Sequence, residues 1–197
     1  MSAHTTSRFV PGEHDALVVV DVQRDFLPGG ALAVRDGDQV VAPLRAEIRA
    51  FARAGRPIFA TRDWHPPDHC SFADRGGPWP RHCVAGTPGA ALADGLELPP
   101  STTVVSKAAQ RDSDAYSAFS GTDLAARLAA AGVERVVVGG LATDYCVLET
   151  VLDARAAGLE VVVLVDAVRA VEARPGDGER ALERMERAGA RLHRGTG

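Results

Sequence analysis

Cysteine is scarce. Cys70, Cys83 and Cys146 are the three thiols in 197 residues. So small and odd a number excludes a dense disulfide framework and fits a reducing compartment. Long apolar runs are missing as well. No stretch approaches the ~20 residues of a membrane span, and the polar opening from Met1 to Asp15 lacks the apolar segment of a signal peptide. There is no excess of positive charge: the formal net charge is −4, which offers no general affinity for nucleic acid or an anionic membrane. Repeats, linkers and low-complexity runs are also absent. A cytoplasmic enzyme with a small-molecule substrate, as monomer or homodimer, is the expectation.

What is present is an ordinary soluble balance, 46% hydrophobic and 24% charged, in a chain long enough to bury a core. Residues 1–15 read as a loose arm and 16–197 as a single domain. Short apolar strands are expected at Ala16–Asp21, Arg56–Asp63 and Thr102–Lys107. Others are expected from Val136 to the glycine pair 139–140, at Leu159–Val165 and at Ala190–His193. Helices are expected over Gln39–Ala54, Asp123–Ala131 and Asp177–Ala188, with one more running from Thr143 or Asp144 to about Ala157. Strands alternating with helices predict a parallel sheet covered on both faces, an α/β fold. In such sheets ligands bind beyond the carboxyl ends of the strands. Asp21, Asp63, Lys107 and the turn at Cys146 all fall there, so they should gather along one edge. Asp166 closes a strand too, and for it a capping carboxylate is the simpler reading.

The stretch Val136-Val-Val-Gly-Gly-Leu-Ala-Thr-Asp-Tyr-Cys146 reads as a buried strand, a sharp turn and a helix start, capped by Thr143 or Asp144. A thiol in that first turn meets unsatisfied N–H groups and the positive end of the helix dipole. Both lower its pKa and favour a nucleophilic thiolate. An ordinary buried cysteine would look the same from this stretch alone. Asp21 and Lys107 complete a chemically sensible set, a base for the thiol and an ammonium for the resulting charges. A structural ion pair is the competing reading.

A second constellation lies in the long, aperiodic segment from Trp64 to Pro88. Asp63, His65, His69 and His82 offer one carboxylate and three imidazoles, a donor set for a divalent transition metal. Exposed loop histidines are the alternative. Cys70 and Cys83 stand beside two of them as further soft donors.

At these residues the chain resembles the nicotinamidase/pyrazinamidase family of isochorismatase-like cysteine hydrolases. The matching pieces are Val-Asp21-Val-Gln-Arg-Asp-Phe26, Arg-Asp63-Trp-His65-Pro-Pro-Asp-His69-Cys-Ser-Phe72, Trp79-Pro-Arg-His82-Cys-Val-Ala-Gly-Thr-Pro88, Lys107, Ala115-Tyr-Ser-Ala-Phe119 and Gly140-Leu-Ala-Thr-Asp-Tyr-Cys146-Val. The resemblance covers nearly everything from Leu17 to Leu192, and the pieces keep the family's order and spacing. The resemblance implies a three-layer sandwich around a six-stranded parallel sheet. It implies Cys146 as nucleophile, Asp21 as base and Lys107 as the third catalytic residue. Asp63, His65, His69 and His82 would hold one divalent metal, zinc first, with iron or manganese possible. A cis peptide at Leu141–Ala142 would leave the N–H groups of Ala142 and Cys146 as an oxyanion hole. Nicotinamide would enter a pocket shaped by Phe26, Trp79, Tyr116 and Leu141, and pyrazinamide would be accepted too. Hydrolysis through a thioester on Cys146 would place the enzyme in NAD salvage. A metal-free relative acting on another small amide or a vinyl ether is the alternative, and a non-catalytic binding module is a second. Three departures stand out: Ala108 where many members carry glycine, Tyr145 where some carry histidine, and the extra thiol of Cys70.

Overall fold

A computed structural model of the chain describes residues 9–195. Residues 1–8 of the expected arm lie outside the described residues. Phe9, in the remainder of that stretch, is buried and stacks on Phe51 with ring centroids 6.1 Å apart.

The strands are β1 (Asp15–Val20), β2 (Ile58–Asp63), β3 (Thr103–Lys107), β4 (Arg135–Leu141), β5 (Glu160–Arg169) and β6 (Arg191–His193). The α-helices are α1 (Val41–Arg53), α2 (Leu124–Ala130), α3 (Leu148–Ala156) and α4 (Asp177–Arg187). All six strands join one sheet in the order β3-β2-β1-β4-β5-β6, each neighbouring pair parallel. The six-stranded parallel sheet between helix layers is thus the observed architecture.

Alternation along the strands builds the layers. Leu17, Val19 and Val137 point to one face and bury Leu44, Ile48 and Phe51 of α1. Ala16, Val18, Val136 and Val138 point to the other and bury Leu128 of α2, Val151 of α3 and Met185 of α4. With both faces covered, β1 has no exposed residue, which is why its sequence is apolar from Ala16 to Val20. None of the helices among the described residues is long and apolar enough to cross a membrane.

Two expectations shift. β5 runs on to Arg169 because its ladder with β4 breaks register between Val138 and Gly140, absorbing extra residues. Asp166 therefore sits exposed within the strand rather than capping its end. β4 likewise continues through both glycines to Leu141. At Gly140, φ is 134° and a Cβ would lie 2.0 Å from the Val20 carbonyl oxygen, so no other residue fits. That close approach brings the end of β4 against the end of β1.

Candidate active site

The register sets the edge. Val20 pairs with Gly140, and Asp63 pairs with Lys107. Asp21, just past β1, takes a left-handed backbone with φ 48°, a conformation short carboxylate residues tolerate. It is fully buried, and the Thr61 hydroxyl on β2 donates to its Oδ1 at 2.6 Å. Lys107 ends β3 with its ammonium out of solvent. Nζ lies 3.0 Å from Asp21 Oδ2 and 2.5 Å from Asp63 Oδ1. It also donates to the Ala115 carbonyl at 3.0 Å and reaches Cys146 Sγ at 3.4 Å. Asp21 Oδ2 has the ammonium beside it but receives no aligned hydrogen bond. Donor atoms of Asp21, Asp63 and Cys146 all lie within 4.8 Å of one another. The expected gathering of carboxylate, ammonium and thiol is what the sheet edge builds.

The turn carrying Cys146 differs from expectation. Thr143–Val147 forms a single π-helical turn ahead of α3, with no side-chain cap. The Asp144 carboxylate accepts instead from the N–H groups of Val171 and Glu172, at 2.9 and 3.0 Å. The Ala142 carbonyl accepts from Tyr145 N–H and Val147 N–H, passing over Cys146 N–H between them. The Leu141–Ala142 peptide is cis.

The expected low thiol pKa is also corrected. Burial pushes the Cys146 thiol well above its ordinary value, and Asp21 and Asp63 add to the rise, against the pull of Lys107. Burial likewise raises Asp21, with Lys107 opposing and Asp63 reinforcing. Burial works to lower Lys107, but Asp21 and Asp63 outweigh it and hold the ammonium well above its usual range. The site therefore sets a neutral thiol beside a carboxylate of increased proton affinity and a fixed cation.

Beside this cluster the metal donors converge in part. Asp63, His65 and His82 are buried, with donor atoms within 4.8 Å of one another. His65 Nδ1 lies 3.1 Å from the Ala108 carbonyl and His82 Nδ1 lies 2.8 Å from the Pro80 carbonyl. With those nitrogens donating, each Nε2 lone pair is free for a metal, the usual division of labour in a ligating imidazole. His65 Nε2 is 3.8 Å from Asp63 Oδ2. Burial, with His82 and His69 adding, lowers the His65 pKa to about 4, so this imidazole is neutral as a ligand must be. One carboxylate oxygen and two imidazole nitrogens fit zinc, iron or manganese. His69 does not complete the set. Its ring stacks on His65 at 4.2 Å, but Nδ1 meets Ser71 Oγ at 2.7 Å and Nε2 meets the Ser113 carbonyl at 3.1 Å. Both nitrogens are engaged away from the trio. Neither Cys70 nor Cys83 joins it among the described residues.

A hollow, open at its mouth, leads to Cys146 and is walled by Phe26, Trp79, Tyr116, His82 and Ala142. Trp79 Nε1 donates to the Tyr116 hydroxyl at 3.1 Å. Leu141 is not in the wall. It points into the core, so its contribution is the peptide bond it shares with Ala142. Leu32, Val34, Tyr145 and Val171 line the hollow unforeseen. Supporting residues were also missed. Gln23 Nε2 donates to the Asp63 and Ala90 carbonyls while its Oε1 accepts from Asp63 N–H. Asp25 Oδ2 accepts from Cys83 N–H at 2.7 Å, fixing the residue next to His82. The signal for both was their place in the motif that begins at Asp21.

The Isochorismatase domain model matches residues 15–195. The chain is similar to the nicotinamidase/pyrazinamidase of Mycobacterium tuberculosis, 40% identical over 185 residues, spanning 90% of this chain and 97% of that protein. It is similar in structure to the pyrazinamidase of Pyrococcus horikoshii in complex with zinc, with TM-score 0.88 and 51% identity over 92% of this chain and 99% of the other. The structure of PnC1 from L. infantum in complex with nicotinate gives TM-score 0.83 and 38% identity over 91% and 92%.

Proposed function

The chain belongs to the isochorismatase family, within its nicotinamidase/pyrazinamidase branch, and on that premise we propose that it hydrolyses nicotinamide to nicotinate and ammonia and accepts pyrazinamide. The observation that carries this reading is the Lys107 ammonium, which touches Cys146 Sγ, Asp21 and the metal donor Asp63 at once. Nucleophile, base and metal trio are then parts of one site, which a metal-free relative would not need.

Cys146 Sγ attacks the carboxamide carbon while Asp21 Oδ2 takes the thiol proton. The charge that forms on the carbonyl oxygen is received by the N–H groups of Ala142 and Cys146, whose turn is already shaped before substrate arrives. As the C–N bond breaks, Asp21 returns that proton to the leaving nitrogen and ammonia departs, leaving a thioester. Asp21 then draws a proton from water, whose oxygen attacks the same carbon. The C–S bond breaks and the proton goes back to sulfur. Lys107 stays charged throughout and keeps the buried carboxylate and thiolate in register. Asp63, His65 and His82 would hold the divalent metal, zinc before iron or manganese, which when bound supplies an electrophilic anchor for a ring nitrogen. Phe26 and Trp79 offer faces for the flat ring. The enzyme would act in the cytoplasm, in NAD salvage, with its small substrate as the partner it requires.

Ammonia release from nicotinamide tests the reading directly. The wild type should release ammonia, and Cys146→Ala should abolish release with fold and metal retained. Full turnover by Cys146→Ala would end the covalent route. His65→Ala should lower metal content and activity together, and a fully loaded, fully active variant would remove the metal from the scheme.

A further inference from the structure

Two hollows meet at one residue. The substrate hollow has Tyr145 in its wall beside Trp79 and Cys146. A second hollow runs over the surface between the π-turn and α4, where Tyr145, Leu148, Asp177, Arg180 and Ala181 line it. Among the described residues, Tyr145 alone belongs to both. Its ring stands edge-on to Trp79 with centroids 5.2 Å apart, and is tilted 57° to Tyr116 at 5.5 Å. The turn beneath it is tied down by the Asp144 carboxylate, which holds the N–H groups of Val171 and Glu172.

We propose that Tyr145 is a partition that sets the size of the acyl group, and that the hollow behind it is a latent subsite for aromatic carboxamides bearing a second ring. The proposal rests on the amidase reading above. Exclusion by a clash is the simplest way to reject a larger substrate sharing the same reactive amide. A fused benzo ring brings in fewer heavy atoms than loss of the phenol removes, so the space vacated suffices. The hollow beyond is also suited to an uncharged ring. Leu148 and Ala181 supply apolar surface, and the charges of Asp177 and Arg180 answer each other at 2.6 Å. A ring lying over Leu148 and Ala181 meets that ion pair rather than a lone charge, and Asp144 and Arg184 complete the lining.

The test compares nicotinamide with quinoline-3-carboxamide, which carries the same amide beside the same ring nitrogen. Tyr145→Ala should raise the kcat/KM ratio of the larger to the smaller amide by about tenfold or more over wild type. Tyr145→Phe, which keeps the ring, should hold the wild-type ratio. An unchanged ratio in Tyr145→Ala, or an equal rise in Tyr145→Phe, overturns the partition.

A second readout needs no turnover. Pyridine-3-carbaldehyde and quinoline-3-carbaldehyde can each accept the thiol across the carbonyl, sulfur bonding to carbon and its proton passing to oxygen. Protection of Cys146 from iodoacetamide is then read by peptide mapping. Wild type should be protected by the smaller aldehyde alone, and Tyr145→Ala and the milder Tyr145→Val by both. A wild type that shows this pattern but hydrolyses no nicotinamide overturns the amidase reading and leaves the partition standing. Failure of the larger aldehyde to protect either variant overturns the partition.

Discussion

Strand β1 is bounded by two aspartates, and they live differently. Asp15 opens the strand. Arg135 grips it with two hydrogen bonds at 2.8 and 2.7 Å, and Gly12 N–H adds a third at 2.6 Å. The arginine side chain remains 28% exposed. Asp21 follows the other end. It shares one wholly buried ammonium with Asp63, and one of its oxygens has no aligned donor. At the amino edge every oxygen is satisfied by directed donors and nothing further can happen there. At the carboxyl edge one ammonium serves two buried carboxylates, with the thiol of Cys146 beside them. Ion pairing alone therefore does not mark a site; a wholly buried ammonium shared by two carboxylates and touching a thiol does.

The comparison breaks most visibly at Lys107. Lys107→Met should lower kcat/KM by about 10³-fold or more. It should also cost about 3–5 kcal/mol in denaturant unfolding, because two buried carboxylates lose their counter-charge. A variant that keeps its stability would make the inner cluster no different from the outer one. A smaller effect concerns pH. Burial raises Asp21 above its ordinary 3.8, and the free enzyme needs it unprotonated. Activity in kcat/KM, with metal saturating, should therefore appear as pH rises through a value above 3.8. Thr61→Val removes a hydrogen bond that holds Asp21 down, so the acid limb should move up by about one unit or less. A downward shift would contradict the assigned base. The smallest effect belongs to the outer pair. Arg135→Gln should lose about 1 kcal/mol, less at high salt, with kcat/KM unchanged. A large fall in turnover would show that the two ends are coupled.

Much of this was legible in residue order. Strand-like runs closed by Asp21, Asp63 and Lys107 locate the sheet edge in the sequence, since side-chain period and parallel topology dictate where strand ends meet. The protonation state of Cys146 was not legible. A first-turn cysteine suggests a lowered pKa, but burial beside two carboxylates decides otherwise, and both are tertiary facts. His69 fits the spacing of a ligand, yet Ser71 and a carbonyl forty-four positions away capture its ring. Leu32, Val34 and Val171 reach the pocket from loops whose spacing carries no period. Asp166 was misplaced because a register break leaves no mark in composition.

The strand order also sets a schedule. The chain presents Asp63, His65 and His82 early, and Lys107 soon after. The thiol follows the lysine by thirty-nine positions. It reaches the base when β4 slots beside β1, next to a partner laid down at the very start of the sheet. On the proposed function, a growing polypeptide on the ribosome would thus own its metal donors and its ammonium before its nucleophile, Cys146, had been added. Reactivity at the site would then await one late pairing, the β1–β4 ladder, and a prematurely terminated product lacking β4 would have no Cys146 to react.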